Sequence, residues 1–143
     1  MAALGEAGAA RPTLLHCNSA YPTPPRDANL AAIETLRRQL GCETGWSDHT
    51  GCPGVMHRAV HRYGARVLEM HFDLDGQGAE YGGGHCWLPG PLKTLLDDLR
   101  DGLDADGDGV KEPSPSELPD RDWRADPEDG LRPQRRVRAT EGQ

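Results

Sequence analysis

No run in the 143-residue sequence approaches the roughly 20 consecutive apolar residues of a membrane-spanning helix. The first twelve residues, MAALGEAGAARP, have neither a basic start nor an apolar stretch, so no signal peptide is read there and a cytoplasmic protein is expected. Short cysteine spacings are also missing. Cys17, Cys42, Cys52 and Cys86 include no CxxC pair, which argues against a structural zinc site, and without a secretory leader a disulfide framework is not expected. Four free thiols are the plain reading. Apolar residues make up 36% of the chain, so the core is modest, while 18 glycines and 12 prolines assign much of it to loops.

What is abundant is acid, and it is concentrated. Residues 97–130 hold 13 acidic and 4 basic residues of a chain whose net charge is −7. The acidity therefore belongs to a C-terminal extension rather than to a substrate surface. The closing RPQRRVR run lacks interleaved aromatics and follows that acidic stretch. It reads as a solvated tail, with no nucleic-acid partner and no membrane partner expected.

Ahead of the extension, β-prone runs alternate with helical patterns. The runs are Thr13–Cys17, Glu43–Ser47 and Arg66–Phe72. Asp27–Leu40 carries Leu30, Ile33, Leu36 and Leu40 on one helical face, with Asp27 as the expected N-cap and Gly41 as the stop. Val55–Tyr63 reads as a shorter helix ended by Gly64. Pro89–Leu103 follows with an apolar stripe of Leu92, Leu95, Leu96 and Leu99. Strands alternating with helices indicate an α/β fold built from parallel βαβ units, whose functional loops lie at the C-terminal ends of the strands. Residues 104–143 are polar and irregular, with Trp123 and Leu131 as expected apolar anchors.

The informative polar residues fall at those strand ends. His49 and His71 would stand at the ends of consecutive parallel strands about 4.8 Å apart, where two imidazoles can converge on one divalent cation. Asp48 and Glu69 lie close enough to serve as partners that fix a tautomer. Spacing alone leaves open that the histidines bind no metal. Without a carboxylate ligand, such a pair is a poor site for a hard ion. His16 reads as a packed histidine. His57 and His61, four apart on one helix, read as an exposed face. DADGDG at 104–109 begins like a calcium loop, but Lys111 and Pro115 stand where an apolar residue and a glutamate are needed, so an acidic turn is read. GGGH at 82–85 opens no helix directly after a strand and reads as a loop rather than a phosphate cradle.

Four blocks occur in order from Thr13 to about Leu103: LLHCNSAYP, the NLAAIETL helix, GWSDHT and GARVLEMHF. In these blocks the sequence resembles the N-acetylneuraminate (sialic acid) synthase family, whose members read LLHC-x-S-x-YP, NL-x-x-I-x-x-L, G-[YWL]-SDHT and GA-x-x-[IL]-E-[KR]-HF. The resemblance implies that residues 1–103 are the C-terminal portion, about three βα units (strands six to eight), of a TIM (β/α)8 barrel, followed by an irregular acidic tail at 104–143. It also implies condensation of phosphoenolpyruvate with an N-acylated mannosamine-type sugar to a nonulosonic acid, aided by Mn2+ or Mg2+. By position, His49 and His71 match the metal ligands, Ser47 matches a phosphoenolpyruvate contact, and Ser19 and Tyr21 match positions lining the substrate site. No catalytic residue is carried over. The tail looks like the ending of a subfamily whose barrel lacks an antifreeze-like domain.

Departures temper the match. Met70 stands where Lys or Arg is usual. The loop after His71 reads DLDGQGAEYGGGHCWLP, without the family's PGPD aspartate, and Glu80 and His85 stand as its candidate replacements. GCPGVM follows SDHT where a small-apolar helix start is conventional. A whole barrel needs about 250 residues. The family's carboxylate bases and most phosphate-binding lysines lie on strands one to five, and only Lys93 and Lys111 are present here. The expectation is a truncated gene product, a split subunit or a mispredicted start, inactive alone, which self-associates or joins a complementing N-terminal half. The other reading is a non-catalytic remnant or binding subunit that keeps the fold elements.

Overall fold

The computed structural model describes residues 2–8 and 12–141, so part of the leader reading, at residues 1 and 9–11, lies outside the described residues. The chain divides into two compact units, Met1–Asp106 and Gly107–Gln143.

A short helix, α1 (Ala2–Glu6), precedes the first strand, β1 (Leu14–Cys17). Helix α2 (Ala31–Leu40) leads to β2 (Thr44–Asp48), and α3 (Pro53–His57) passes into a π-helical turn at Arg58–Arg62 before β3 (Leu68–Met70). Helix α4 (Pro89–Asp104) closes the unit. The strands form one parallel sheet in the order β1-β2-β3, with Leu14 opposite Thr44 and Trp46 opposite Leu68. This is the expected βαβ construction.

Central β2 is buried at all five positions, as a parallel strand covered on both faces must be. Gly45 is required there by space. A Cβ at this position would lie 2.2 Å from the Val67 carbonyl oxygen and 2.6 Å from Leu15 Cδ2. The core joins Ile33 of α2, Trp46 of β2, Met56 of α3 and Leu95 and Leu99 of α4, with Leu92 partly buried beside them. Of the predicted α2 stripe, Leu30 and Ile33 are buried whereas Leu40 stays exposed.

Several boundaries differ from expectation: β3 is confined to Leu68–Met70 within the expected Arg66–Phe72, α3 starts at Pro53 rather than Val55, and two further differences have a local cause. The second helix does not start at Asp27. Pro25–Asp27 makes a separate 3-10 turn, Asn29 adopts a left-handed φ of 45°, and the α-helix begins only at Ala31. A left-handed residue interrupts the right-handed ladder, and asparagine tolerates it better than most residues. The third run loosens after His57, where Tyr63 N donates to the Arg58 carbonyl at 3.1 Å, before Gly64 turns the chain with φ 64°. Arg37 of α2 secures that turn, donating to the carbonyls of Tyr63 at 2.6 Å and Gly64 at 2.7 Å.

In the second unit, 3-10 turns at Pro115–Glu117 and Pro119–Trp123 precede α5 (Arg135–Glu141). Asp126 accepts backbone N–H groups from Arg135 at 2.7 Å and Glu128 at 2.9 Å, and these hold its carboxyl below its ordinary range. Arg138 pairs with Asp129 at 2.6 Å. Trp123 and Leu131 are 59% and 57% exposed, so neither is a buried anchor of this unit. Among the described residues, charged pairs and capped turns hold this unit together instead. Among the described residues, no helix is long and apolar enough to cross a membrane.

Candidate functional site

The C-terminal ends of the three strands gather four rings. His49 follows β2 directly, His71 follows β3, Tyr21 lies on the segment after β1, and His85 comes from the long loop that follows His71. Tyr21 stacks on His49 at a ring separation of 4.0 Å. His71 stands 5.2 Å from His49 and 5.6 Å from Tyr21, edge-on to both. His85 closes the group at 4.8 Å from His71 and 5.1 Å from Tyr21.

Backbone geometry fixes the first imidazole. His49 is 3% exposed, and its Nδ1 lies 2.7 Å from the Asn18 carbonyl. Only a protonated Nδ1 can donate to that oxygen, which leaves Nε2 with a lone pair. The Asn18 side chain shapes the same segment, with Nδ2 donating to the Asp27 carbonyl at 2.9 Å and Oδ1 accepting from Ala20 N at 3.0 Å. Thr23 N donates to the His49 carbonyl at 2.8 Å and ties this segment to β2.

Asp48 does not orient either histidine, contrary to the reading from sequence. Its fully buried carboxylate is filled by five donors. Trp46 Nε1 (3.0 Å), Thr50 N (3.1 Å) and Thr50 Oγ1 (2.7 Å) reach one oxygen; Gly51 N (3.1 Å) and Trp87 Nε1 (3.1 Å) reach the other. Such saturation is what makes a carboxylate tolerable in the interior. Glu69 likewise serves neither ring. It accepts from Ser47 Oγ at 2.5 Å, so the Ser47 hydroxyl is already engaged. Ser19 is exposed on the segment that carries Tyr21. His71 takes a different carboxylate, with Nδ1 lying 2.8 Å from Glu80 Oε2.

The loop after His71 returns to the sheet at Trp87. Trp87 N donates to the His71 carbonyl at 2.8 Å and Asp73 N to the Trp87 carbonyl at 2.9 Å, making a parallel bridge between Phe72 and Trp87. Within the loop, Asp73 Oδ1 accepts from Asp75 N and from Gly76 N. This return brings His71, Glu80, His85 and Cys86 together, with one donor atom from each lying within 4.8 Å of the others. Burial, reinforced by the carboxylates of Glu80 and Asp73, pushes the Cys86 thiol up from its ordinary range. The structure thus unites His49, His71 and Tyr21 with Glu80 and His85, the two candidate replacements for the family's aspartate. It also adds Cys86 and the Asn18 carbonyl, neither of which the sequence singles out. Cys86 sits in no cysteine pair, and a backbone carbonyl leaves no mark in a sequence.

Elsewhere, His16 Nε2 lies 2.9 Å from the Ala28 carbonyl and its ring is 5.2 Å from Trp46, a packing role. His57 and His61 stack on each other at 5.8 Å on the helix surface.

The profile of the NeuB family matches residues 1–111. The chain is 38% identical over 118 residues to N,N'-diacetyllegionaminic acid synthase of Legionella pneumophila, covering 76% of this chain and 30% of that protein. It is also 38% identical over 93 residues to N-acetylneuraminate-9-phosphate synthase of Drosophila melanogaster, covering 63% of this chain and 24% of that protein. Among solved structures, N-acetylneuraminic acid (sialic acid) synthetase from Leptospira borgpetersenii, in complex with citrate, superposes with a TM-score of 0.60 at 34% identity. That match covers 76% of this chain and 38% of the other. The chain spans less than a third of the length of these curated relatives.

Proposed function

The chain belongs to the NeuB family, and from that premise we propose that it supplies strands six to eight of a (β/α)8 barrel that makes a nonulosonic acid from phosphoenolpyruvate and an N-acylated mannosamine-type sugar. The observation that carries this reading is the placement of His49 and His71, with rings 5.2 Å apart at the ends of adjacent parallel strands, under the ring of Tyr21. In barrels of this kind reacting groups meet at that end of the strands. The donor set fits a divalent ion in part. His49 keeps Nε2 free, and His71 has a carboxylate at its Nδ1. These two residues would hold Mn2+ or Mg2+, which when bound would polarise the sugar's open-chain aldehyde.

The chain's own groups serve the sugar end. Tyr21, an exposed residue, stacks its ring on His49, and Ser19 lies on the same segment. Ser47 contributes through Glu69 unless phosphoenolpyruvate displaces that bond. In the reaction, C3 of the enol forms a bond to the aldehyde carbon while water adds at C2 and phosphate leaves. Holding an enol phosphate needs several cations or N–H donors. With two lysines in the whole chain, those duties fall to a complementing polypeptide carrying strands one to five, and the chain is inactive alone. Both substrates are soluble metabolites, and we place the reaction in the cytoplasm. The scarcity of lysine also favours a second reading, a non-catalytic subunit that keeps the fold.

Phosphate release from phosphoenolpyruvate and N-acetylmannosamine distinguishes the two. The expected result is no release by the chain alone, release on adding a polypeptide with strands one to five, and its loss on His71→Ala. Turnover by the chain alone that survives His71→Ala overturns the proposal, and silence of the complemented pair leaves the non-catalytic reading standing.

A further inference from the structure

His85 is the least explained residue of the first unit. Its side chain is buried, with the residue 5% exposed, and neither ring nitrogen has a hydrogen-bond partner. An imidazole always offers at least one N–H or lone pair that needs a partner, and burying both nitrogens unpaired costs free energy for each. Nothing apolar is gained in exchange that leucine would not supply better. The backbone also makes room for this ring, since a Cβ on Gly83 would lie 2.9 Å from His85 Nδ1. Around it stand three further donors, the imidazole of His71, the carboxylate of Glu80 and the thiol of Cys86, all within 4.8 Å.

We propose that the loop following β3 builds a metal site of its own, in which His71, Glu80, His85 and Cys86 are the four donors and the preferred ion is of the Zn2+ class. Two imidazoles, a carboxylate and a thiolate are a borderline-soft set. Mg2+ and Mn2+ favour oxygen donors, and a sulfur ligand selects against them. Tetrahedral ligands bonded at about 2.0–2.3 Å stand roughly 3.3–3.8 Å from one another. The cluster reaches that spacing by closing in by about an ångström. Glu80 is the exposed member, and its oxygen already stands 2.8 Å from His71 Nδ1. The backbone of the others is held by the Phe72–Trp87 bridge, so the site is largely built before an ion arrives. This site shares His71 with the proposed synthase pair, whereas Glu80, His85 and Cys86 lie outside that pair.

Co2+ substitutes for Zn2+ as a spectroscopic probe, because a thiolate ligand gives a near-ultraviolet charge-transfer band. Titrating the full purified chain with CoCl2 is expected to produce that band at one equivalent, and ZnCl2 is expected to abolish it. Cys86→Ser removes the band. Glu80→Gln, a near-isosteric change on an exposed side chain, weakens Co2+ binding about tenfold or more. His85→Ala does the same, while Cys17→Ser and His49→Ala leave the band in place. Absence of the band, its survival in Cys86→Ser, unchanged affinity in Glu80→Gln, or its loss in His49→Ala each overturns the proposal. The His49→Ala arm also separates this site from the synthase pair, whose failure is read in phosphate release instead.

Discussion

Removing the Asp48 carboxylate leaves two indole N–H groups, a hydroxyl and two backbone N–H groups facing a buried void. Each unpaired buried donor costs on the order of 1–3 kcal/mol. We expect Asp48→Ala to destabilise the first unit by at least about 3 kcal/mol, read as a lowered urea midpoint by far-ultraviolet circular dichroism. Asp48→Asn keeps one acceptor and is expected to cost less; equal midpoints for Asp48→Ala and the parent refute the hub role. This residue also marks where sequence reasoning failed. Adjacent to His49, Asp48 looked like its orienting carboxylate, but strand alternation turns neighbouring side chains to opposite faces. Its decisive partner, Trp87, lies 39 residues away. Glu80 took the expected carboxylate role at His71 because a loop of irregular backbone carried it there, and no periodicity encodes such a path. The two histidines themselves were legible, since strand ends in a βαβ pattern have a fixed address.

Among the elements, β2 sets the spacing of the sheet through Gly45. A methyl group there meets the Val67 carbonyl, which is backbone and cannot rotate away. Gly45→Ala is expected to cost about 1–3 kcal/mol, as overpacking does, with a matching drop in the thermal midpoint. An unchanged midpoint refutes the tight approach of β2 to the Val67 segment. The strands and the glycine stops at 41 and 64 were readable because period-two runs and left-handed turn residues are local properties. The start of α2 was not. Asp27 offered a good cap, yet Asn29 at a φ of 45° breaks the ladder behind it, and the choice is made by contacts such as Asn18 to the Asp27 carbonyl. The π-helical turn at Arg58–Arg62 was equally silent, since Arg37, distant in sequence, supplies the donors that hold its end.

At the scale of the whole molecule, three parallel strands leave β1 with an unpaired edge among the described residues, and Leu15, Phe72 and Leu74 are exposed beside the sheet. Open edges and exposed apolar side chains favour pairing with another chain. The purified chain is expected to sediment as a dimer or larger species at micromolar concentration, with Leu15→Lys shifting it toward monomer. A compact monomer with a sharp thermal transition contradicts this. Sequence made the sheet edge foreseeable, because the number of strands is countable; it did not reveal which surfaces remain uncovered.

The indoles of Trp46 and Trp87 both point their N–H groups at Asp48, beside His49, and the Trp87 backbone is bonded to His71. Trp123, the third and last tryptophan, is 59% exposed in the second unit. The chain therefore carries its own optical gauge. Two shielded fluorophores are expected to emit toward the blue and one hydrated fluorophore toward the red. The ratio of the two emissions is expected to change on titration with MnCl2, a label-free gauge of the strand-end site, and an unchanged ratio refutes the coupling.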